Sequence, residues 1–267
     1  RGIKMERARL LPIATGLNFR ELGGYKTLDG KTIKWNKIVR SGRLSGLSQT
    51  DLDFLANYPI KYDVDFRSPE EKSQAPDQVP AGAKYTFDPV FPVDETQSTK
   101  QTSDLQRKMN YDPTSGLVEM RRVYRDVINQ SHAQKAYRKF FDVLLANSDE
   151  DSALLFHCTA GKDRTGMGAI FFLSALNVDE DTIRADYLLT NRAIKPRIDN
   201  LVMDLKLQNK NSAFIQSAKA LQSVNISYYN SAMEAIKKLS GSTQNYLKEY
   251  LHLTDHDLAD LRKIYLE

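Results

Sequence analysis

"LLFHCTAGKDRTG", residues 154–166, carries the only cysteine of the 267-residue chain. An apolar run leads into it, and small and basic residues follow, with an arginine six positions after the sulfur. The stretch "SALLFHC" (152–158) has the length and composition of a strand buried on both faces. "RTGMGAIFFLSALN" (164–177), with small residues on one side, reads as a buried helix. Strand, tight loop and helix in that order put the thiol at a strand end and a helix N-terminus at about Arg164. Such a loop aims several backbone N–H groups at one point, and the helix dipole adds positive potential there. Gly161 and Ala160 let the backbone curl closely around a bound group. The result is an anion cradle with a sulfur at its base.

Those surroundings favour thiolate. A free cysteine titrates at about 8.5, so only a few per cent is ionised at neutral pH; lowering that value by about three units takes roughly 4 kcal/mol of differential stabilisation. Arg164 can hold two oxygens of a phosphoryl group bidentately, which a lysine cannot. The sulfur then attacks phosphorus in line, a phosphocysteine forms, and water cleaves it. A buried core cysteine fits the "ALLF" before Cys158 but not the Gly-Lys-Asp-Arg that ends the loop. A Walker loop is rejected, because its first glycine falls on Phe156 and the residue after Lys162 is aspartate.

Outward from this stretch, "KIVRS" (37–41), "IKYDVDF" (60–66) and "AKYTFDPV" (83–90) read as further strands. "SQTDLDFLANY" (48–58), "SGLVEMRRVYRDVIN" (115–129) and "SHAQKAYRKFFDVLLAN" (131–147) carry helical spacing between them. The order predicts an α/β fold: a short, mainly parallel central sheet flanked by helices. After residue 178 the pattern is almost wholly helical, so 178–267 is expected as extra C-terminal helices packed on the core of a single domain, 1–267. The polar, weakly patterned stretch 92–116 reads as a long loop or mobile lid.

Composition narrows the function. A hydrophobic fraction of 41% and a charged fraction of 27% are those of an ordinary globular protein. A mean hydropathy of −0.50 and the lack of a long apolar stretch exclude a membrane span. The net charge of +4 comes without a dense Lys/Arg block, which argues against nucleic acid and suits a small anionic target. One cysteine excludes an intramolecular disulfide and a cysteine-rich zinc site. His252 and His256 have i, i+4 spacing but lack the metalloprotease glutamate, and are read as surface residues of a terminal helix. Neither metal nor cofactor is expected. The chain begins at Arg1, basic and without the apolar core of a secretory signal. It therefore reads as a processed or trimmed product, and its location, cytoplasmic or secreted, stays open.

Cys158, five residues, Arg164 and Thr165 together resemble the signature of the cysteine-dependent protein tyrosine phosphatases. "HCTAGKDRTG" is similar to the atypical bacterial branch, whose members act on phosphotyrosine, often phosphoserine/threonine, and phosphoinositides. "GLNFRELGGY" (16–25) and "VDFRSPEE" (64–71) resemble two further elements of that branch, so ordered matches run from 16 to 166. The resemblance implies Cys158 as nucleophile, with Arg164 and the amides of Thr159, Ala160, Gly161, Lys162 and Asp163 on the phosphate. It implies that Thr165 hydrogen-bonds the sulfur and eases its departure, and it places Arg67 among the substrate-binding residues. Many relatives take a general acid from a Trp-Pro-Asp loop, yet the only tryptophan, Trp35, stands in "IKWNK". Asp163, beside the arginine, is the first choice for the acid; Asp65, at the end of a strand parallel to that of Cys158, is the second, unless it orients Lys162 or Arg67 by an ion pair. Lys162 adds a second positive charge suited to multiply phosphorylated headgroups. Asn18 and Arg20 are expected near the edge of the site. The expected partners are a phosphorylated protein or phosphoinositide, with an oxyanion in the loop and a monomeric chain. Two rivals are a phosphate-binding module that has lost turnover and a rhodanese-like sulfurtransferase, which needs neither Asp163 nor Thr165.

Overall fold

In the computed structural model, which describes residues 8–96 and 101–267, five strands form one sheet in the order β1-β2-β5-β3-β4. These are β1 (Arg20–Glu21), β2 (Ile38–Ser41), β3 (Ile60–Asp65), β4 (Lys84–Phe87) and β5 (Ala153–His157). All neighbours are parallel except the antiparallel edge pair β1–β2. The central strand β5 is fully buried, as expected for a strand covered on both faces.

Successive β5 side chains alternate between two cores. Ala153 and Leu155 join Val39, Leu55 and Ile60 on one face, under α1 (Gln49–Asn57). Leu154 and Phe156 join the larger core on the other face with Phe140, Tyr137 and Phe171. That face is covered by α4 (Ser115–Asn129), α5 (Ser131–Ala146) and α6 (Arg164–Ala175). Helix α6 is buried along its whole length, so its lack of amphipathicity reflects position rather than a weak helix signal.

Beyond it run α7 (Glu180–Ala193), α8 (Lys195–Leu207), α9 (Ser212–Gln222), α10 (Ile226–Ser240), α11 (Thr243–Glu249) and α12 (Asp255–Tyr265). Their buried side chains, among them Tyr187, Leu221, Tyr228, Tyr246 and Tyr265, belong to the same large core.

Three local features differ from the sequence reading. The stretch 92–116 contains α3 (Ser103–Met109) and the start of α4, while residues 97–100 lie outside the described residues. Only Leu105 and Met109 of α3 are buried, too few apolar positions to leave a readable period. Helix α2 (Pro69–Gln74) is equally short, yet it is announced by a capping box in which Ser68 and Glu71 satisfy each other's backbone N–H and Pro69 opens the helix. Finally, His252 precedes α12 in a left-handed turn, so it does not share a helix with His256, which pairs with Asp260 at 3.2 Å. Both histidines are exposed.

Candidate active site

The register of the parallel strands brings Ser41, His157 and Asp65 level at one edge of the sheet. The loops that leave β2, β5 and β3 therefore converge at their carboxyl ends, the usual place for ligands in open α/β sheets. The β5 loop runs from Cys158 to Asp163, and α6 begins at Arg164. Every residue of this loop is buried, Cys158 to 2% exposure.

The loop's shape depends on Gly161, whose φ is +70°. A Cβ there would lie 2.6 Å from Gly42 N and from the Ser41 carbonyl, so only glycine fits both the left-handed backbone and the close approach of the β2 end. The outward Gly161 carbonyl accepts from Asn18 Nδ2 at 2.8 Å and Arg40 Nη2 at 2.7 Å. Arg40 and Arg20 are cross-strand partners on β2 and β1. Two guanidiniums facing each other in a buried site repel, and burial and Arg40 together lower Arg20 to about 9. Asp186 of α7 offsets this, at 3.1 Å from Arg40 and 3.6 Å from Arg20, and accepts from Tyr25 at 2.8 Å. The stretch 16–25 thus contributes braces for the loop backbone through Asn18, Arg20 and Tyr25. Its Gly24, at φ +83°, makes room for the Trp35 ring.

Arg164 is fully buried and fixed end-on by Glu71 of α2: Nη1 donates to Oε2 at 2.6 Å and Nη2 to Oε1 at 2.8 Å. Thr159 Oγ1 and the Ser68 N–H donate to the same carboxylate. Burial works against ionisation of Glu71, but Arg164 and these donors outweigh it and hold its pKa at about 2. Burial works against the Arg164 charge, but Glu71 first and then Cys158 and Asp94 hold its pKa well above the ordinary value, with Asp94 Oδ1 3.9 Å from Arg164 Nη2. The Arg164 carbonyl accepts from Tyr137 at 2.7 Å. Thr165 Oγ1 is buried with no hydrogen-bond partner among the described residues.

Asp163 and Lys162 form a buried pair at 2.6 Å. The other Asp163 oxygen accepts from Tyr124 of α4 at 2.7 Å, and Tyr187 of α7 donates to the Tyr124 hydroxyl at 2.8 Å. Burial, then the Asp163 charge, pushes both tyrosines well above their ordinary value, so the chain of hydroxyls delivers a neutral hydrogen bond to the carboxylate.

Asp65 lies farther back. Both its oxygens are taken, by the Arg67 N–H and Nε, by Arg67 Nη2 and by Tyr85. Burial opposes its charge, yet His157 and Arg67 keep its pKa below the ordinary value. Arg67 in turn donates to Asp77 and to the Ala75 carbonyl, which leaves its guanidinium bound to protein rather than open toward the loop.

Behind the thiol, His157 Nδ1 lies 3.1 Å from the Cys158 carbonyl, and Nε2 is 2.6 Å from Asp77 and 3.2 Å from Asp63. Burial disfavours the imidazolium, but Asp65, Asp77 and Asp63 raise its pKa well above the usual value. Asp63, completely buried, is pushed up to about 7 by desolvation. Three carboxylates against His157 and Arg67 leave one excess negative charge in a dry setting, and a proton retained on Asp63 removes it. Asp63, Asp77 and His157 bring ligand-type atoms within 4.8 Å of one another; the Arg67 guanidinium on Asp77 makes this a charge network rather than a cation cage.

Sequence reasoning had singled out the loop residues and both aspartates, but not Glu71, Asp94, Tyr124 or Asp186. Glu71 had a local signal in Ser-Pro-Glu-Glu. The others reach the loop from distant elements, and nothing in their own neighbourhoods marks them.

The model of the tyrosine phosphatase family matches residues 11–267. A protein of Cupriavidus necator with a tyrosine-protein phosphatase name is 32% identical over 263 residues, covering 93% of this chain and 85% of its own. A tyrosine-protein phosphatase of Nostoc commune is 30% identical over 57% of this chain and 48% of its own. The triple specificity protein phosphatase PtpB of Mycobacterium tuberculosis is 26% identical over 87% of this chain and 90% of its own.

Proposed function

The chain belongs to the tyrosine phosphatase family, and from that premise we propose that it hydrolyses phosphotyrosine, and also phosphoserine/threonine and phosphoinositides, through a phosphocysteine on Cys158. The observation that carries the reading is the braced Arg164 beside the only cysteine, at the carboxyl edge of the central strand. An arginine so held has its guanidinium fixed in direction and loses little entropy when an oxyanion arrives.

In the first step the Cys158 thiolate attacks phosphorus in line and the bond to the leaving oxygen breaks. The loop amides and Arg164 carry the charge on the phosphoryl oxygens. Asp163 supplies the proton to the leaving oxygen. Its Lys162 partner is a further cation of the same loop; as Lys162 turns to the phosphate, it releases the Asp163 oxygen it holds at 2.6 Å. In the second step Asp163 takes a proton from water, whose oxygen attacks phosphorus and releases the sulfur. The Thr165 hydroxyl, which has no hydrogen-bond partner among the described residues, is available to hydrogen-bond that departing thiolate. Asp65 acts by positioning Arg67. Asp94, 3.9 Å from Arg164 on the loop after β4, supports a second reading in which the proton donor comes from outside the phosphate loop.

The test is phosphate release from a phosphotyrosine peptide and from a phosphoinositide in EDTA, comparing wild type with Cys158→Ser, Asp163→Asn and Asp94→Asn. Turnover by wild type and none by Cys158→Ser is expected. Loss of general acid catalysis lowers the rate about 10²–10⁴-fold, and this loss is expected for Asp163→Asn. The same loss confined to Asp94→Asn would move the acid to that loop. Wild type releasing no phosphate from either substrate would end the phosphatase reading.

A further inference from the structure

A second cavity of about 420 Å³ opens beside the phosphate loop, lined by Thr159 and Glu71 of the site and by Arg43, Arg67, Gln74, Ala75 and Arg197. Its charges are unequally spent. Glu71, the only carboxylate in that lining, is consumed by Arg164, Thr159 and Ser68. Arg67 is consumed by Asp65, Asp77 and Ala75. The guanidiniums of Arg43 and Arg197 have neither hydrogen-bond nor ion-pair partner among the described residues, although most arginines around the site do. Arg43 follows the end of β2, and its own N–H donates to the Thr159 carbonyl at 3.0 Å, so its backbone is one hydrogen bond away from the loop. Arg197 comes from the first turn of α8. Partial desolvation and then repulsion from Arg43 pull Arg197 below its ordinary value. Two cations brought together without an anion are a cost that an incoming anion relieves.

We propose that Arg43 and Arg197 form a second anion subsite, which takes a further phosphate carried on the same small ring as the phosphate under attack. The proposal rests on the phosphatase reading for its first phosphate. A polyphosphorylated ring fits better than a doubly phosphorylated peptide. Successive side chains of an extended peptide point to opposite sides, whereas the two sites share the wall made by Thr159 and Glu71. Arg197 also borders a groove of about 630 Å³ between α3, α8 and α9, whose lining mixes apolar residues such as Met109, Leu201 and Phe214 with polar and basic ones such as Arg107, Gln208 and Lys210.

The experiment compares kcat/KM for inositol monophosphate and a vicinal inositol bisphosphate in wild type, Arg43→Gln, Arg197→Gln and the double variant, with thermal unfolding as a check on folding. Wild type is expected to favour the bisphosphate by about ten- to hundredfold, the range for one or two charge-assisted hydrogen bonds, and the double variant to lose most of that ratio. No preference in wild type, or a preference that survives both substitutions, overturns the proposal. A doubly phosphorylated peptide that depends on both arginines while the bisphosphate does not also overturns it. The short-chain lipid bearing the same headgroup separates the two sources of such a ring: a further gain in kcat/KM points to a lipid, and none to a free polyol phosphate. If wild type hydrolyses nothing, the phosphatase reading has failed. Calorimetric binding of the bisphosphate to Cys158→Ser, with and without the two arginine substitutions, still decides the subsite, since equal Kd values refute it.

Discussion

Glu71→Gln isolates the brace on which the proposed phosphate site of Arg164 and Cys158 depends. Glu71 ionises at about 2 in the folded chain against 4.5 ordinarily. At about 1.4 kcal/mol for each tenfold change, that difference corresponds to about 3 kcal/mol of folded-state stabilisation at neutral pH. Breaking a buried ion pair by removing one partner costs about 3–5 kcal/mol, and Arg164 is fully buried, so the two routes agree. For a chain of this size a 3 kcal/mol loss lowers Tm by roughly 6–12 °C. The folded pKa is depressed, so the stabilisation is fully present above 4.5 and disappears as pH falls toward 2. The gap in unfolding free energy between wild type and Glu71→Gln is therefore expected to be largest near neutrality and to close through that acid window. Urea unfolding at a series of pH values measures it. Because Arg164 loses one face of its clamp, kcat/KM is expected to fall about ten- to a hundredfold. An unchanged Tm together with unchanged kcat/KM would refute the claim that Glu71 positions Arg164, and a gap independent of pH would refute its assignment to the Glu71 charge.

Three further outcomes follow from other parts of the structure. Asp186→Asn leaves Arg20 and Arg40 facing each other in a buried site, so a loss of about 3–5 kcal/mol in chemical denaturation is expected; a loss under about 1 kcal/mol would show that the arginines do not depend on it. Gly161→Ala sets a Cβ 2.6 Å from the Ser41 carbonyl at a left-handed φ, where the backbone strain alone is about 1–2 kcal/mol. Phosphatase activity should be abolished while the sheet survives, as read by activity assay and far-UV circular dichroism, and retained activity would contradict the packing described. Asp88, pushed up to about 8 by burial, keeps its proton in the folded chain while the unfolded chain ionises from 3.8 upward, so wild type loses stability as pH rises through that interval. Asp88→Asn should match wild type below about pH 4 and exceed it in Tm at about pH 8; equal Tm values at both ends would rule the effect out.

What could be read from the chain divides by distance. The strand–loop–helix unit at 152–177, the parallel strands at 38–41, 60–65 and 84–87, and the long helices around them all rest on local periodicity and turn chemistry, and the structure contains them. The cysteine, the arginine six places on and the glycine between them are legible for the same reason, since one tight loop holds all three. The short elements α2 and α3 bury too few side chains to leave a period, although the Ser68–Glu71 capping box marks the first of them.

The supports of the site are another matter. Glu71 is 93 residues from the Arg164 it clamps, Asp186 is 146 from Arg40, and Asn18 is 143 from Gly161. No local spacing encodes such pairs. They arise because parallel register brings the ends of β2, β3 and β5 level, and because α6 and α7 fold back over that edge. The role of Asp65 shows the same division. Its place at a strand end was readable, but whether it faces substrate or an arginine depends on where Arg67 and Tyr85 lie. By itself the sequence determined the fold class and the loop proposed to react, because both are written in neighbouring residues. Only the tertiary structure decided which buried charge meets which, because desolvation makes each such charge depend on whatever partner the fold carries to it.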